Sequence, residues 1–283
     1  MTQFLTPSES AELSRNGIDI TDPALDFAAE AAEVERKLSA MLGEPVRFYR
    51  DCPSTNDIAD QLASEGWTGV VVADHQSAGR GRMGRSWSSD TGKNLLFSVV
   101  LRPDIAVVDA PRQPLIWASL LAERLGVFVK WPNDLVDGED RKVAGLLSSM
   151  RIQANSDRVK HIILGIGLNV NQEQFEALPD AVSLRTIHTE SFARGIVLHG
   201  LLKVLRQAAP PTLGQDGLDL WRSRSRTLGR MVSVGDQQGV AEGIRSDGAL
   251  IVGGTPVLTG DVALMDKLVE KLDGSKMRPE QPD

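Results

Sequence analysis

A chain of 283 residues with 31 Lys+Arg against 38 Asp+Glu has a formal net charge of −7, which argues against a nucleic-acid coat, because phosphate-tracking surfaces are basic overall. At 41% hydrophobic and 24% charged residues, a disordered chain is excluded and about two folded domains are expected. The longest apolar stretches, at 70–73 and 95–101, are strand-sized and far short of the roughly 20 residues that span a bilayer; with no export signal at the N-terminus, a cytoplasmic protein without a membrane partner is expected.

Residues 1–43 are polar and rich in Ala and Glu. Asp22-Pro23 followed by Leu25, Ala28, Ala29, Ala32, Leu38 and Leu42 predicts one amphipathic surface helix, an N-terminal extension ending at Gly43. Over 44–225, strand-like runs at 46–49, 69–73, 95–101, 127–129, 144–152 and 162–170 alternate with helical windows near 56–64, 114–125, 191–207 and 218–225. That mixture predicts an α+β or α/β domain. Over 226–270 the texture changes to short strands separated by Gly and Asp, which predicts a small all-β barrel or sandwich, with a hairpin at Asp247-Gly248. Residues 271–283 have almost nothing to bury and are expected to form a flexible tail. The single cysteine, Cys52, reads as a small buried hydrophobe, and the four scattered histidines offer no metal-ligand spacing, so no dedicated metal site is expected.

The densest chemical signal follows the 69–73 strand: Gln76-Ser77-Ala78-Gly79-Arg80-Gly81-Arg82-Met83-Gly84-Arg85-Ser86-Trp87. Glycines let backbone amides approach an anion, and guanidinium groups match phosphate or carboxylate oxygens in bidentate geometry, so the loop reads as an anion cradle. Gly79-x-Gly81-x-x-Gly84 satisfies the dinucleotide fingerprint literally. The turn-like 88–93 segment stands where a Rossmann unit needs a helix, and no Walker Gly-Lys-Ser/Thr is present. Trp87 either offers a ring face to an adenine or belongs to the core.

A second constellation is Lys130-Trp131-Pro132-Asn133-Asp134, followed by Arg141-Lys142-x-x-Gly145. Pro132 stiffens the turn that carries Asn133 and Asp134. Lys142, entering an apolar strand, suits the role of an electrophile for a carbonyl or phosphoryl oxygen. In 164–171, Gly165 and Gly167 interrupt a strand, which suggests a group packed against its backbone, with Asn169 and Asn171 on one side. Ser54-Thr55-Asn56 precedes a helical window and reads locally as an N-cap.

In order and spacing these segments resemble the biotin-protein ligase family, over about 46–265. The resemblance implies a catalytic domain like that of class II aminoacyl-tRNA synthetases, a mixed sheet flanked by helices, followed by a small Src-homology-3-like barrel. It also implies two-step chemistry on ATP and biotin with Mg²⁺: formation of biotinoyl-5′-AMP, then transfer to a lysine of a biotin carboxyl carrier protein domain of a biotin-dependent carboxylase. Carried over by position, Ser54, Thr55, Asn56 and Gln76 would serve the biotin head, and Gly79 and Arg80 its carboxylate side, with Gly145 and Leu146 in the apolar part of the pocket. Arg82 and Arg85 would meet phosphates, and Trp87 and Asn169 would border the adenine. Asn133 and Asp134 would serve the ribose, phosphate or Mg²⁺ side, and Lys142 both transition states, with Arg80 and Arg82 as catalytic partners.

Bifunctional members of that family bind DNA through an N-terminal winged helix; residues 1–43 hold one convincing helix and no basic recognition face, so no DNA partner is expected. An exposed sheet edge would receive the carrier by strand addition or pair with a second copy of the chain. The competing readings are a lipoate-protein ligase, whose usual arginine-arginine, glycine-triplet and histidine arrangement is missing, and a non-catalytic sensor, which would need no electrophile at Lys142.

Overall fold

The computed structural model describes residues 5–176, 178–207 and 215–266; the tail expected over 271–283 lies outside them. Helix α1 (Pro7–Arg15) opens on a capping box: Thr6 Oγ1 accepts from the Glu9 N–H while the Glu9 carboxylate accepts from the Thr6 N–H. After a short turn over Pro23–Asp26 comes α2 (Ala31–Leu42), which Gly43 ends at φ +67°. The expectation of a single surface helix in residues 1–43 is therefore corrected twice. Two helices occupy the described part of this segment, the first set by its cap rather than by any apolar period. Nor is the segment superficial, since Leu13, Leu25, Phe27, Val34 and Leu38 are buried in the main core. Arg194, 3% exposed, ties it to the sheet by bonding Asp26 and Asp74 and lying over the Phe27 ring.

The chain continues through β1 (Val46–Cys52), α3 (Thr55–Ser64), β2 (Val70–Gln76), β3 (Leu95–Leu101), α4 (Gln113–Leu125), β4 (Phe128–Lys130), β5 (Asp134–Val136), β6 (Lys142–Ile152) and β7 (Val159–Leu168). The seven strands form one mixed sheet in the order β1-β2-β3-β7-β6-β5-β4. Only β1 and β2 run parallel, and α3 is the crossover between them. On one face α3 sets Ala59 and Ala63 against Val71, Val100 and Ile163. On the other, Val70, Val72, Phe97 and Val99 join the main core, to which α5 (Leu184–His188), α6 (Arg194–Gln207) and α7 (Gln215–Ser223) contribute Leu184, Leu201 and Trp221. β5 and α5 were not expected from the sequence, being too short for a period to show.

Strands β8 (Met231–Val234), β9 (Gln237–Ile244), β10 (Leu250–Val252), β11 (Thr255–Val257) and β12 (Val262–Leu264) make a second, antiparallel sheet in the order β11-β10-β9-β8-β12. The expected hairpin at Asp247-Gly248 joins β9 to β10, with Gly248 at φ +90°. Trp131 links the two sheets: its backbone N–H donates to Thr227 Oγ1 at 2.9 Å and its indole N–H to Gly248 O at 3.2 Å. The fold is mixed α+β.

Candidate active site

The parallel register of β1 and β2, from Val46↔Val70 to Cys52↔Gln76, brings the start of α3 beside the end of β2. Gln76 Oε1 accepts the Thr55 backbone N–H at 2.7 Å and lies 3.0 Å from the Thr55 hydroxyl. It thereby takes one of the N–H groups left without a partner in the first turn of the helix. Ser54 holds the N-cap position with extended angles but makes no capping bond, so the local capping reading of Ser54 is corrected. Asn56 Nδ2 donates to Leu147 O at 3.2 Å, and its carboxamide lies on Gly165, where an added Cβ would stand 1.9 Å from Asn56 Oδ1.

The glycine-rich loop folds back on itself: Gly81 N–H donates to Arg85 O at 2.7 Å and Trp87 N–H to Gly79 O at 2.9 Å. A side chain at Gly79 would bring its Cβ to 2.5 Å from Trp87 O, which is why this position is glycine. No helix follows Gly84, in keeping with the rejected dinucleotide reading. Arg80 pairs with Asp57 and Arg85 with Asp261 of the β11–β12 loop. Arg82 reaches Asn133 Oδ1 at 3.5 Å and Thr259 Oγ1 at 3.3 Å. Burial pulls the Arg82 guanidinium below the ordinary arginine range, against the opposing charges of Asp261 and Asp134.

Opposite the loop, β4 and β5 turn through Trp131-Pro132, a cis peptide bond. Asn133 is fixed by donating Nδ2–H to Leu146 O at 2.7 Å while its own carbonyl accepts from Leu146 N–H. Lys142, at the start of β6, has Nζ 2.7 Å from Asp134 Oδ1 and 5.5 Å from the centroid of a Trp87 ring. The indole of Trp87 crosses Gly145 and Gly167, where added Cβ atoms would meet it at 3.0 and 2.5 Å. The expected group against the glycines of the strand is thus Asn56 at Gly165 and Trp87 at Gly167.

These pieces enclose a cavity open to solvent on one side. Ser54, Thr55, Asn56, Gln76, Arg80, Arg82, Arg85, Trp87, Asn133, Asp134, Lys142, Gly145 and Leu146 all line it. Gly79 stands behind the wall as the point where the loop closes. Asn169 is not among the lining residues of this cavity: it is buried, and its amide donates to Lys142 O and Val182 O. β7 ends at Leu168, so Asn169 and Asn171 are not on one side of a strand; Asn171 instead bonds both backbone groups of Phe192. Lining residues without a sequence signal are Leu147, Ile166, Leu178 and Asp261. A second cavity shares Arg85, Asp134, Lys142 and Leu178 and adds Lys130, Pro179 and Ala263, so Lys130 and Lys142 converge.

Three arginines and a lysine around one cavity suit an anionic ligand pair, and the hydroxyl and amide groups at its other end suit a neutral polar head. Among the described residues no group of three or more His, Cys, Asp or Glu is placed to hold a metal.

The biotin/lipoate A/B protein ligase family model matches residues 48–169. A biotin--[acetyl-CoA-carboxylase] ligase of Mycobacterium tuberculosis is 34% identical over 223 residues, 68% of this chain and 77% of that protein. The bifunctional ligase/repressor BirA of Bacillus spizizenii is 39% identical over 173 residues, 55% of this chain; the chain spans about half, 51%, of that relative's length. Among solved structures, biotin protein ligase from Aquifex aeolicus in complex with biotin and ATP has a TM-score of 0.56 at 26% identity, covering 77% of this chain and 97% of that one.

Proposed function

This chain belongs to the biotin-protein ligase family, and on that premise we propose that it activates biotin with ATP and passes the biotinyl group to a lysine of a biotin carboxyl carrier protein domain. In the first step a biotin carboxylate oxygen bonds to the α-phosphorus of ATP and the bond to pyrophosphate breaks, giving biotinoyl-5′-AMP. In the second, the carrier amine attacks the acyl carbon, AMP leaves with the electron pair, and the amine proton passes to solvent. Both partners of the first step are anions, so preorganised positive charge is what the protein must supply.

One observation carries this reading: a single cavity joins four cations to a hydroxyl-and-amide end, and its cations are matched by the chain's own groups, Arg80 by Asp57, Arg85 by Asp261 and Lys142 by Asp134. Anionic substrates would replace these carboxylates. Ser54, Thr55, Asn56 and Gln76 would hold the biotin head, Arg80 its carboxylate, and Arg82 and Arg85 the phosphates. Lys142 would bridge carboxylate and α-phosphate, then polarise the acyl oxygen. Trp87 would cover the junction. The Asp134 carboxylate, a hard oxygen donor, would hold Mg²⁺ arriving with ATP, and the cation would neutralise phosphate charge.

We take 44–225 as the catalytic domain, of the class II aminoacyl-tRNA synthetase type, and 226–270 as a Src-homology-3-like barrel, with 1–43 as a helical extension. Beyond Leu146 the outer edge of β6 has no strand beside it among the described residues; it would receive the carrier by strand addition or pair with a second copy. A DNA partner is not proposed, since α1 and α2 turn Leu13, Val34 and Leu38 into the core. No described helix is long and apolar enough to cross a membrane, and cytoplasm is the proposed compartment. Incubation with ATP, Mg²⁺, biotin and a carrier domain should add one biotinyl group to the carrier by intact mass. An unmodified carrier would refute the proposal.

A further inference from the structure

The loop that carries Arg80, Arg82 and Arg85 leaves the sheet where one of its ladders stops. β2 and β3 pair as far as Ala73↔Leu96. Beyond that pair β2 follows β1 to Gln76, and the returning chain enters β3 through Asn94. Asp74 and Asn94, both buried, stand just past the last pair, one on each stem of the loop. Arg194 spans the gap between them: its Nη1 donates both to the Asp74 carboxylate and, at 3.3 Å, to Asn94 O.

The rest of the guanidinium is turned to the N-terminal extension. Nε donates to Asp26 Oδ1 at 3.1 Å and Nη2 to Asp26 O at 2.6 Å, with the centroid of the Phe27 ring 4.4 Å from Cζ. Asp26 Oδ1 also accepts the Arg194 backbone N–H at 3.3 Å, so the extension holds the backbone and the side chain of one residue at once. Asn94 passes the hold on: its Oδ1 accepts from Val170 N–H at 3.0 Å, and its Nδ2 shares Gln172 Oε1 with the Asp90 N–H. Asp90 lies three residues past Trp87, the indole that covers Gly145 and Gly167. A planar fork of five donors can join three partners at fixed angles, which a lysine ammonium cannot do.

We propose that Arg194 is a positioning residue that clamps both stems of the arginine loop, and that Asp26 completes the clamp and so gives the N-terminal extension a part in the reaction. This deepens the biotin-ligase reading, on which it rests, by tying the phosphate-facing arginines to a segment outside the catalytic domain. Without the Asp26 carboxylate the guanidinium keeps Asp74 but loses the partner that fixes its angle, and with that angle goes the bond to Asn94 O. The two stems are then free to shift against each other, and Arg82 and Arg85 shift with them. A misplacement of about 1 Å is enough to cost a positioned group much of its effect. A tie that was only structural would cost stability and leave the loop alone; Glu9, which docks the same extension on Arg124, is that case.

The test is limited trypsin digestion of the full chain, with cleavage sites read by mass, beside ATP-pyrophosphate exchange with biotin. Asp26→Ala alters a half-exposed side chain and should raise both the rate of cleavage within 80–85 and the KM for ATP about tenfold, the effect of one lost bond to a charged group. Glu9→Gln should lower Tm and leave both quantities within about twofold of the unaltered protein. Arg194→Lys should give larger changes than Asp26→Ala; if it does not fold, Asp26→Ala carries the test alone. Either quantity unchanged in Asp26→Ala, or both raised as much by Glu9→Gln, would overturn the clamp. No biotin-dependent exchange at all in the unaltered protein would instead refute the functional reading beneath it, and the cleavage rates would still decide whether Asp26 and Arg194 hold the loop.

Discussion

Gly165→Ala places one methyl group where the geometry leaves no room for it. The new Cβ would lie 1.9 Å from Asn56 Oδ1, 2.6 Å from Cγ and 2.8 Å from Nδ2, so the carboxamide must move by more than an ångström to restore van der Waals contact. Moving it breaks Asn56 Nδ2 to Leu147 O at 3.2 Å and Ser98 to Asn56 Oδ1 at 2.6 Å. At about 1 kcal/mol net for each bond, roughly 2 kcal/mol is lost from the arrangement proposed to hold the biotin head. That corresponds to about a thirtyfold rise in biotin Kd. Calorimetric titration with biotin measures it, and thermal unfolding run in parallel reports any general damage. Asn56→Ala removes the obstructing atoms, so Gly165→Ala added to Asn56→Ala should cost little more than Asn56→Ala alone. Additive losses, or a biotin Kd unchanged by Gly165→Ala, would refute the claim that Asn56 is held on the Gly165 backbone as part of the biotin site.

Lys142→Ala should lower the rate of adenylate formation by about two to three powers of ten, the effect of removing one preorganised electrostatic group, measured by single-turnover formation of the adenylate; near-normal turnover would show that another cation does the work. Glu9 links pH to stability: burial alone would raise its pKa, but hydrogen bonds from Arg124 and Thr6 outweigh burial and hold it at about 2, against 4.5 for the free carboxylate. Its contribution, about 3 kcal/mol, is fully present above pH 4.5 and lost as pH falls toward 2; urea titrations across that window should show the loss, and Glu9→Gln should flatten it. Burial pushes the Cys52 thiol up to about 11, so iodoacetamide at pH 8 should label Cys52 only after the protein is unfolded.

What could be read from the chain alone was what lies in short local strings. Arg80, Arg82, Arg85 and Trp87 share one loop, Asn133, Asp134, Lys142 and Gly145 one turn and the strand after it, and all line the cavity. Gly165 and Gly167 announced that something rests on their backbone, but only the crossing of α3 over β7 and the return of the loop make those groups Asn56 and Trp87. Ser98, Leu178 and Asp261 carried no signal, because each joins the site through contacts distant in sequence. Asn169 sits in a specific-looking segment, yet its amide holds the carbonyls of Lys142 and Val182, a role no local pattern distinguishes from ligand contact. The N-terminal segment was misread because Pro7–Arg15 is set by a Thr6 and Glu9 cap, and because the Arg194 ion pairs that dock Asp26 come from far along the chain.

ATP-pyrophosphate exchange with biotin or lipoate as the acid substrate tests the central claim most directly. The account predicts exchange that requires biotin, with lipoate giving none above background, and loss of that exchange in Lys142→Ala. Exchange driven by lipoate, or none with either acid, would contradict it.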